Sequence, residues 1–175
     1  MMDIIEVIKG RRSVRKFKIG VKIPKEDLMR ILETAVYAPS AGNRQPWEFI
    51  IVEEEENKAK IAMAAYHQTW ITEAPTIIVV CANEDRSASR YGERGRTLYC
   101  IQDTAAAIQN ILLTAHGMGY GTCWVGAFNE EEVRRILSIP IGVRPIAIIP
   151  IGRPDEKPIA PSRIPIERLI HHEKY

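Results

Sequence analysis

The 175-residue chain contains no apolar run approaching the about 18 residues that a conventional membrane-spanning helix needs. Its opening stretch, MMDIIEVIKGRR, lacks a signal peptide's order of positive end, apolar stretch and cleavage site, so a cytoplasmic location is expected. Cysteine is scarce: Cys81, Cys100 and Cys123 are odd in number and widely spaced, which supports neither a disulfide framework nor a CxxC metal knuckle. Buried free thiols are expected instead. Charge of one sign is also missing, because 24 Lys and Arg against 22 Asp and Glu leave a net charge of +2. So small a balance argues against nucleic acid or any other polyanion as a partner.

Several catalytic signatures are absent as well. No GK[ST] occurs, which excludes a Walker phosphate loop, and no GxSxG occurs, which removes the nucleophile elbow of the hydrolases. Glycines 117, 119 and 121 follow a helical pattern and precede an apolar one. A dinucleotide fingerprint needs the opposite order, strand then glycine loop then helix, so that a helix N-terminus faces the pyrophosphate. His67, His116, His171 and His172 stand at no usual ligand spacing from cysteines or carboxylates, so no metal site is expected.

What remains is an ordinary globular composition, 46% apolar and 26% charged, with no internal repeat or domain boundary, and one domain over residues 1–175 is expected. Asp3 and Glu6 form a capping box for a short helix with Ile4, Ile5 and Ile8 as its apolar stripe and Gly10 as its stop. A second helix is predicted from about Pro24 to Tyr37, with Leu28, Ile31, Leu32, Ala35 and Val36 inward. FIIV (49–52) and TIIVVCA (76–82) read as strands, the second one buried. The acidic run 53–56 reads as a solvated helix start offset by Lys58 and Lys60. Residues 83–96 read as a mobile loop or a partly helical flap, and 98–116 as a central apolar helix. GMGYGTCWVGAF (117–128) passes from glycine turn to strand, and Asn129 with Glu132 starts a helix whose core face is Val133, Ile136 and Leu137. The prolines of RPIAIIPI (144–151) place that strand near an edge or at irregular pairing.

One polar segment concentrates chemistry. RRSVRKF, Arg11 to Phe17, gathers Arg11, Arg12, Arg15 and Lys16 around Ser13, and guanidinium forks with a hydroxyl suit a phosphate. Alone it reads equally as a solvated basic turn. PSAGNRQPW, Pro39 to Trp47, is an ordered polar loop between a helix and a strand, and the sequence closes its last strand with Gly152-Arg153.

Taken together, RRSVRKF, PSAGNRQPWEF, GYGTCWVGAF and IGRP, in this order, resemble the FMN-dependent nitroreductase superfamily over nearly the whole chain. The resemblance implies an α+β fold, a central mainly antiparallel sheet flanked by helices, in an intertwined homodimer whose 154–175 extension wraps the partner. It implies bound FMN, with Arg11, Ser13 and Gly152-Arg153 at the phosphate and Arg12 adjacent. Arg15 would face the pyrimidine end of the flavin, where negative charge collects on reduction. Pro39, Ser40, Ala41 and Asn43 would contact the flavin from the partner subunit. Cys123, Trp124, Val125 and Gly126 would line the ring, with backbone amides near Gly126 offered to N5. Trp47 reads as a core or interface anchor and Gln45 has no clear role.

The chain departs from the family pattern in places. The acidic and lysine contacts that larger members make to the ring system have no counterpart here, and Tyr66 to Trp70 matches no pattern. His67 and Trp70 therefore stand open between flavin contact and core packing. The implied reaction passes electrons from NADH or NADPH through flavin N5 to a nitroaromatic, a quinone or a similar small-molecule acceptor. No catalytic side chain is required, because the flavin carries the hydride chemistry and the nicotinamide is a transient donor. Two other readings stand beside it: a dehalogenase, dehydrogenase or flavin-fragmenting enzyme on the same scaffold, and a non-enzymatic protein that binds nucleic acid or an acidic partner through RRSVRKF.

Overall fold

A computed structural model describes residues 3–175. Its frame is a four-stranded sheet in the order β1-β2-β4-β3, formed by β1 (Trp47–Val52), β2 (Thr76–Asn83), β3 (Gly121–Thr122) and β4 (Val143–Gly152), with every strand pair antiparallel. Six helices surround it: α1 (Ile4–Gly10), α2 (Lys25–Ala35), α3 (Glu55–Ala64), α4 (Glu84–Arg94), α5 (Cys100–Gly117) and α6 (Glu130–Ile136).

Side-chain alternation along β2 divides the core in two. Ile78 and Val80 join Ala147, Ile149 and Ile151 of β4 against α2 and α5, whereas Ile77, Val79 and Cys81 join Ile148 against α3 and α6. The sheet is thus the middle layer of three, and its inner strand must be apolar on both faces. Burying each isoleucine contributes about 1.5–3 kcal/mol.

Several expectations need correction. The isoleucines at 4, 5 and 8 do not face this core; α1 keeps its capping box but buries only Val7. Helix α2 begins after Pro24 and ends at Ala35, so Val36 falls past its last turn and is exposed. Of the two expectations for β4, an edge or irregular pairing, the second holds: the strand is interior, and its first proline is accommodated by a break in register between Val80 and Cys81, where Cys81 faces Pro145. The run after Thr122 forms no continued strand, only a bridge from Val125 to Ile148. Of the α6 core face, Val133 alone is fully buried.

Residues 84–96 are helical apart from a break at Gly92, which bears out the partly helical of the two expected readings. Asn83 caps α4 by accepting from the Arg86 amide, and a π turn over Gly95–Tyr99 carries the chain into α5. Lys58 is buried: its Nζ donates to the Ala74 carbonyl at 3.0 Å and pairs with Glu55 at 2.8 Å. It therefore does more than offset the acidic run. All three cysteines are buried and free. No helix among the described residues is long and apolar enough to cross a membrane.

Candidate functional site

The basic segment is held as an extra strand beside the sheet. Helix α1 ends as the Arg11 amide donates to the Val7 carbonyl; then Ser13 bridges Thr122, Phe17 bridges Pro154, and the Lys18 amide donates to the Arg153 carbonyl. Val14 and Phe17 point into a small core with Ala74, leaving the polar side chains between them on the outer side. Burial of Val14 and Phe17 thus sorts the heptapeptide into anchors and site residues.

Around it lies a cavity of about 310 Å³ lined by Arg11, Arg12, Ser13, Arg15 and, from the tail, Pro158 and Arg163 among others. Arg11 Nε is buried there without a hydrogen-bond partner. Arg12 lines the cavity too, but its Nη1 is already engaged, donating to the carbonyls of Lys9 at 2.6 Å and Arg11 at 2.8 Å, where a cation complements the helix end. Arg15 stands 5.9 Å from the Trp70 ring, and Trp70 packs on Val14 and Phe17. Trp70 thus combines core packing with a position beneath a site arginine. His67 sits in an exposed turn with φ 62°.

The 123–126 segment follows directly on Thr122, the residue that Ser13 bridges. Burial pushes the Cys123 thiol's pKa up, against the opposing pull of Arg15, Ser13 and Arg11. Val125 is buried and uses its amide on Ile148, whereas the Gly126 amide has no protein acceptor among the described residues. A Cβ at Gly126 would meet nothing closer than the Trp124 indole at 3.8 Å, so the backbone is open to close approach. Trp124 itself is partly exposed.

Gly152 packs against Pro75 and Phe17, where a Cβ would lie 2.6 Å from Pro75 Cδ. The Arg153 guanidinium rests 4.1 Å from the Tyr120 ring and donates to the carbonyls of Met118 and Gly119. It does not line the cavity.

The 39–47 loop has its own scaffold. Ala41–Asn43 forms a 3₁₀ turn with Gly42, Asn43 and Gln45 all at positive φ, and the Ser40 hydroxyl accepts from the Gln45 amide at 3.0 Å. Buried Asp103 of α5 accepts from the Ala41 amide at 3.1 and 3.2 Å. Arg44 ties the loop to α4 by donating to the Arg86 carbonyl and to Ser89 Oγ. Trp47 is a core residue in β1. Among the described residues no hydrogen bond joins Pro39, Ser40, Ala41 or Asn43 to the Arg11–Arg15 segment. Within one copy, therefore, Arg11, Ser13 and Arg15 line one cavity with the Thr122–Cys123 backbone alongside, and no hydrogen bond among the described residues brings the 39–43 loop to them.

Four contributors were missed by sequence reasoning. Arg163 carries no local signal in the exposed tail, and Asp103 is a lone acid in an apolar helix. Glu156 accepts from the Arg15 and Lys16 amides, and Gln68 donates to the Ala65 and Ala127 carbonyls, bracing the run beyond Gly126. A larger concavity of about 950 Å³, lined by Ile23, Leu28, Lys58 and Glu73 among others, includes none of the expected site segments.

Comparison with known proteins gives a consistent picture. The family model described as "Nitroreductase family" matches residues 8–70 and 59–153. A relative from Methanothermobacter thermautotrophicus, which bears a provisional NADH dehydrogenase/NAD(P)H nitroreductase name, is 37% identical over 95% of this chain and 88% of its own length. The FMN reductase [NAD(P)H] of Bacillus subtilis is 28% identical over 100% of this chain and 75% of its own length. Among solved structures, the NADPH:FMN oxidoreductase of Vibrio harveyi complexed with NAD+ superposes with a TM-score of 0.90 at 27% identity, covering 98% of this chain and 77% of that one.

Proposed function

The chain belongs to the nitroreductase family, and from that premise we propose that it is an FMN-dependent oxidoreductase taking electrons from NADH or NADPH and passing them to a nitroaromatic, a quinone or a similar acceptor. The observation that carries this reading is the buried, partnerless Arg11 Nε in a cavity lined by three further arginines and Ser13. A doubly charged phosphate satisfies that donor, and nothing on the protein does. The open backbone at Gly126 fits the flat ring of the same cofactor.

Bound FMN supplies the hydride-accepting atom, N5, and the protein's part is to bind and orient. Arg11, Ser13 and Arg163 hold the phosphate, with Arg153 adding charge from beside Tyr120. Arg15, steadied by Trp70, fixes a positive charge at the pyrimidine end of the ring, and the Gly126 amide donates toward N5. Val125 and the protonated Cys123 keep the wall neutral and dry. No side chain is needed to move a proton in the first half-reaction, because the nicotinamide delivers its hydrogen and both electrons together.

The active form is a homodimer. The 39–43 loop, which no hydrogen bond among the described residues joins to the basic segment of its own copy, completes the flavin site of the other one, and the 154–175 tail wraps the partner. In support, α1 presents Ile4, Ile5 and Ile8 to solvent, and the tail does the same with Ile159, Ile166 and Leu169. Three reduced buried thiols and a nicotinamide reductant suit the cytoplasm.

Purified full-length protein should be yellow, bleach with NAD(P)H under argon and recover colour with a quinone; sedimentation should give a dimer. Arg11→Ala should fold, by circular dichroism, yet lose the flavin. A colourless wild-type protein that takes up no added FMN overturns this reading.

A further inference from the structure

Helix α4 carries two arginines that the fold leaves without a carboxylate. Glu84 and Asp85 face Arg96 at 3.8 and 2.7 Å, and Glu93 also acts on Arg96, raising its pKa. Arg86 pairs with Glu48. Every acid of α4 is thus directed at Arg96, while Arg90 and Arg94 are exposed and form no ion pair among the described residues.

Both are nevertheless fixed in place. Arg90 lies 5.6 Å from the Tyr91 ring and Arg94 lies 5.2 Å from the Tyr99 ring, with Arg94 Nε donating to Tyr99 Oη at 2.9 Å. The two tyrosines meet edge to face at 5.3 Å. Two unbalanced guanidinium groups are therefore joined through two aromatic rings. Gly92, at φ 55° and ψ −139°, breaks the helix between them in a conformation that only glycine adopts readily.

The cluster abuts the 39–45 loop. The nearest atoms to a Cβ placed on Gly42 are the Tyr91 hydroxyl and the Arg90 guanidinium, and Arg44 bonds the loop to α4 on the same side. If that loop reaches the flavin, α4 flanks the route by which a nicotinamide nucleotide arrives.

A guanidinium matches a phosphomonoester, and aromatic and guanidinium planes match a purine. NADPH differs from NADH by one phosphate, on the 2′ oxygen of the adenosine ribose. We infer that Arg90 and Arg94, with Tyr91 and Tyr99, grip the 2′-phosphoadenosine end of NADPH and make it the preferred reductant. This inference rests on the oxidoreductase reading above.

The test uses full-length, FMN-loaded protein and kcat/KM for NADPH and NADH with a quinone acceptor. Wild type should favour NADPH. In Arg90→Gln/Arg94→Gln the NADPH:NADH ratio should fall roughly 10- to 100-fold, since each lost charge-assisted contact to phosphate is worth about tenfold. The change should lie mainly in KM. In wild type, 2′-AMP should compete with NADPH and 5′-AMP should not, a comparison independent of whether the double variant folds. A yellow enzyme indifferent to the 2′-phosphate, or a variant that loses both reductants equally, overturns the inference alone. A colourless protein overturns the oxidoreductase reading with it.

Discussion

Removing the Asp103 carboxylate tests whether α5 imposes the geometry of the 39–45 loop. The Ala41 amide is half-buried and has Asp103 as its acceptor at 3.1 and 3.2 Å. Leaving such a donor unmet costs about 1–3 kcal/mol. Because Asn43 and Gln45 already hold positive φ, other loop conformations lie close in energy and the loss falls on loop order. Asp103→Ala should therefore weaken FMN binding by about 5- to 150-fold while the sheet stays intact. Asp103→Asn keeps an oxygen acceptor and should lie nearer wild type. Burial raises the Asp103 pKa above 3.8, although the Ala41 amide pulls it back. A raised folded-state pKa means that the folded protein binds the proton more tightly, so Asp103 subtracts stability as pH climbs from 3.8 through the raised value. Asp103→Asn should flatten that part of the stability curve. Flavin fluorescence titration and hydrogen exchange at Ala41 read the two effects. Wild-type FMN affinity with a protected Ala41 amide in Asp103→Ala would refute the reasoning.

Three further outcomes are expected. Arg15→Ala should retain FMN but slow its reduction by NAD(P)H about 10- to 100-fold in stopped-flow absorbance, and a wild-type rate removes Arg15 from its assigned place. Ile78→Ala, in the apolar layer between the sheet and α2/α5, should cost about 2–5 kcal/mol by urea unfolding, with a smaller loss indicating that the layer collapses around the gap. Glu130 accepts from Arg144 through both oxygens at 2.8 Å, and its pKa is lowered from 4.5 chiefly by that hydrogen bond. Its contribution is present above pH 4.5 and lost as pH falls through the lowered value, so Glu130→Gln should diverge least from wild type in the most acidic unfolding scans.

Much of the fold was legible because its signals are local. The continuous β-branched run at 76–82, the capping box at Asp3 and the acidic first turn of α2 each announce one element. The exposed isoleucines of α1 misled because helical spacing shows that residues share a face but not what the face meets. Position within the sheet was half legible: the prolines of 144–151 argued for an edge or irregular pairing, and the register break at Pro145 decides for the second. At the site, RRSVRKF and the GYGTCWVGAF run lie side by side through the Ser13–Thr122 bridge. Arg12 and Arg153 illustrate the limit, since composition marks a guanidinium but not its rotamer, and here one closes a helix and the other covers a tyrosine. Asp103 and Arg163 act across long sequence separations, which no short motif encodes.

Strand β2 has a consequence for the protein's birth on the ribosome. Thr76–Asn83 has no charge, proline or glycine, is buried on both faces, and pairs on one side with β4, which ends at Gly152. At roughly 5–20 residues per second, the about 70 residues between them take some 3–14 s to synthesise. Throughout that interval a segment with the composition of a steric zipper has one edge uncovered, and until α5 ends at Gly117, about half-way through, one face is bare as well. The same residues that make the finished sheet durable therefore make the nascent chain a client for chaperones. Expression should fall as translation of residues 84–152 is slowed.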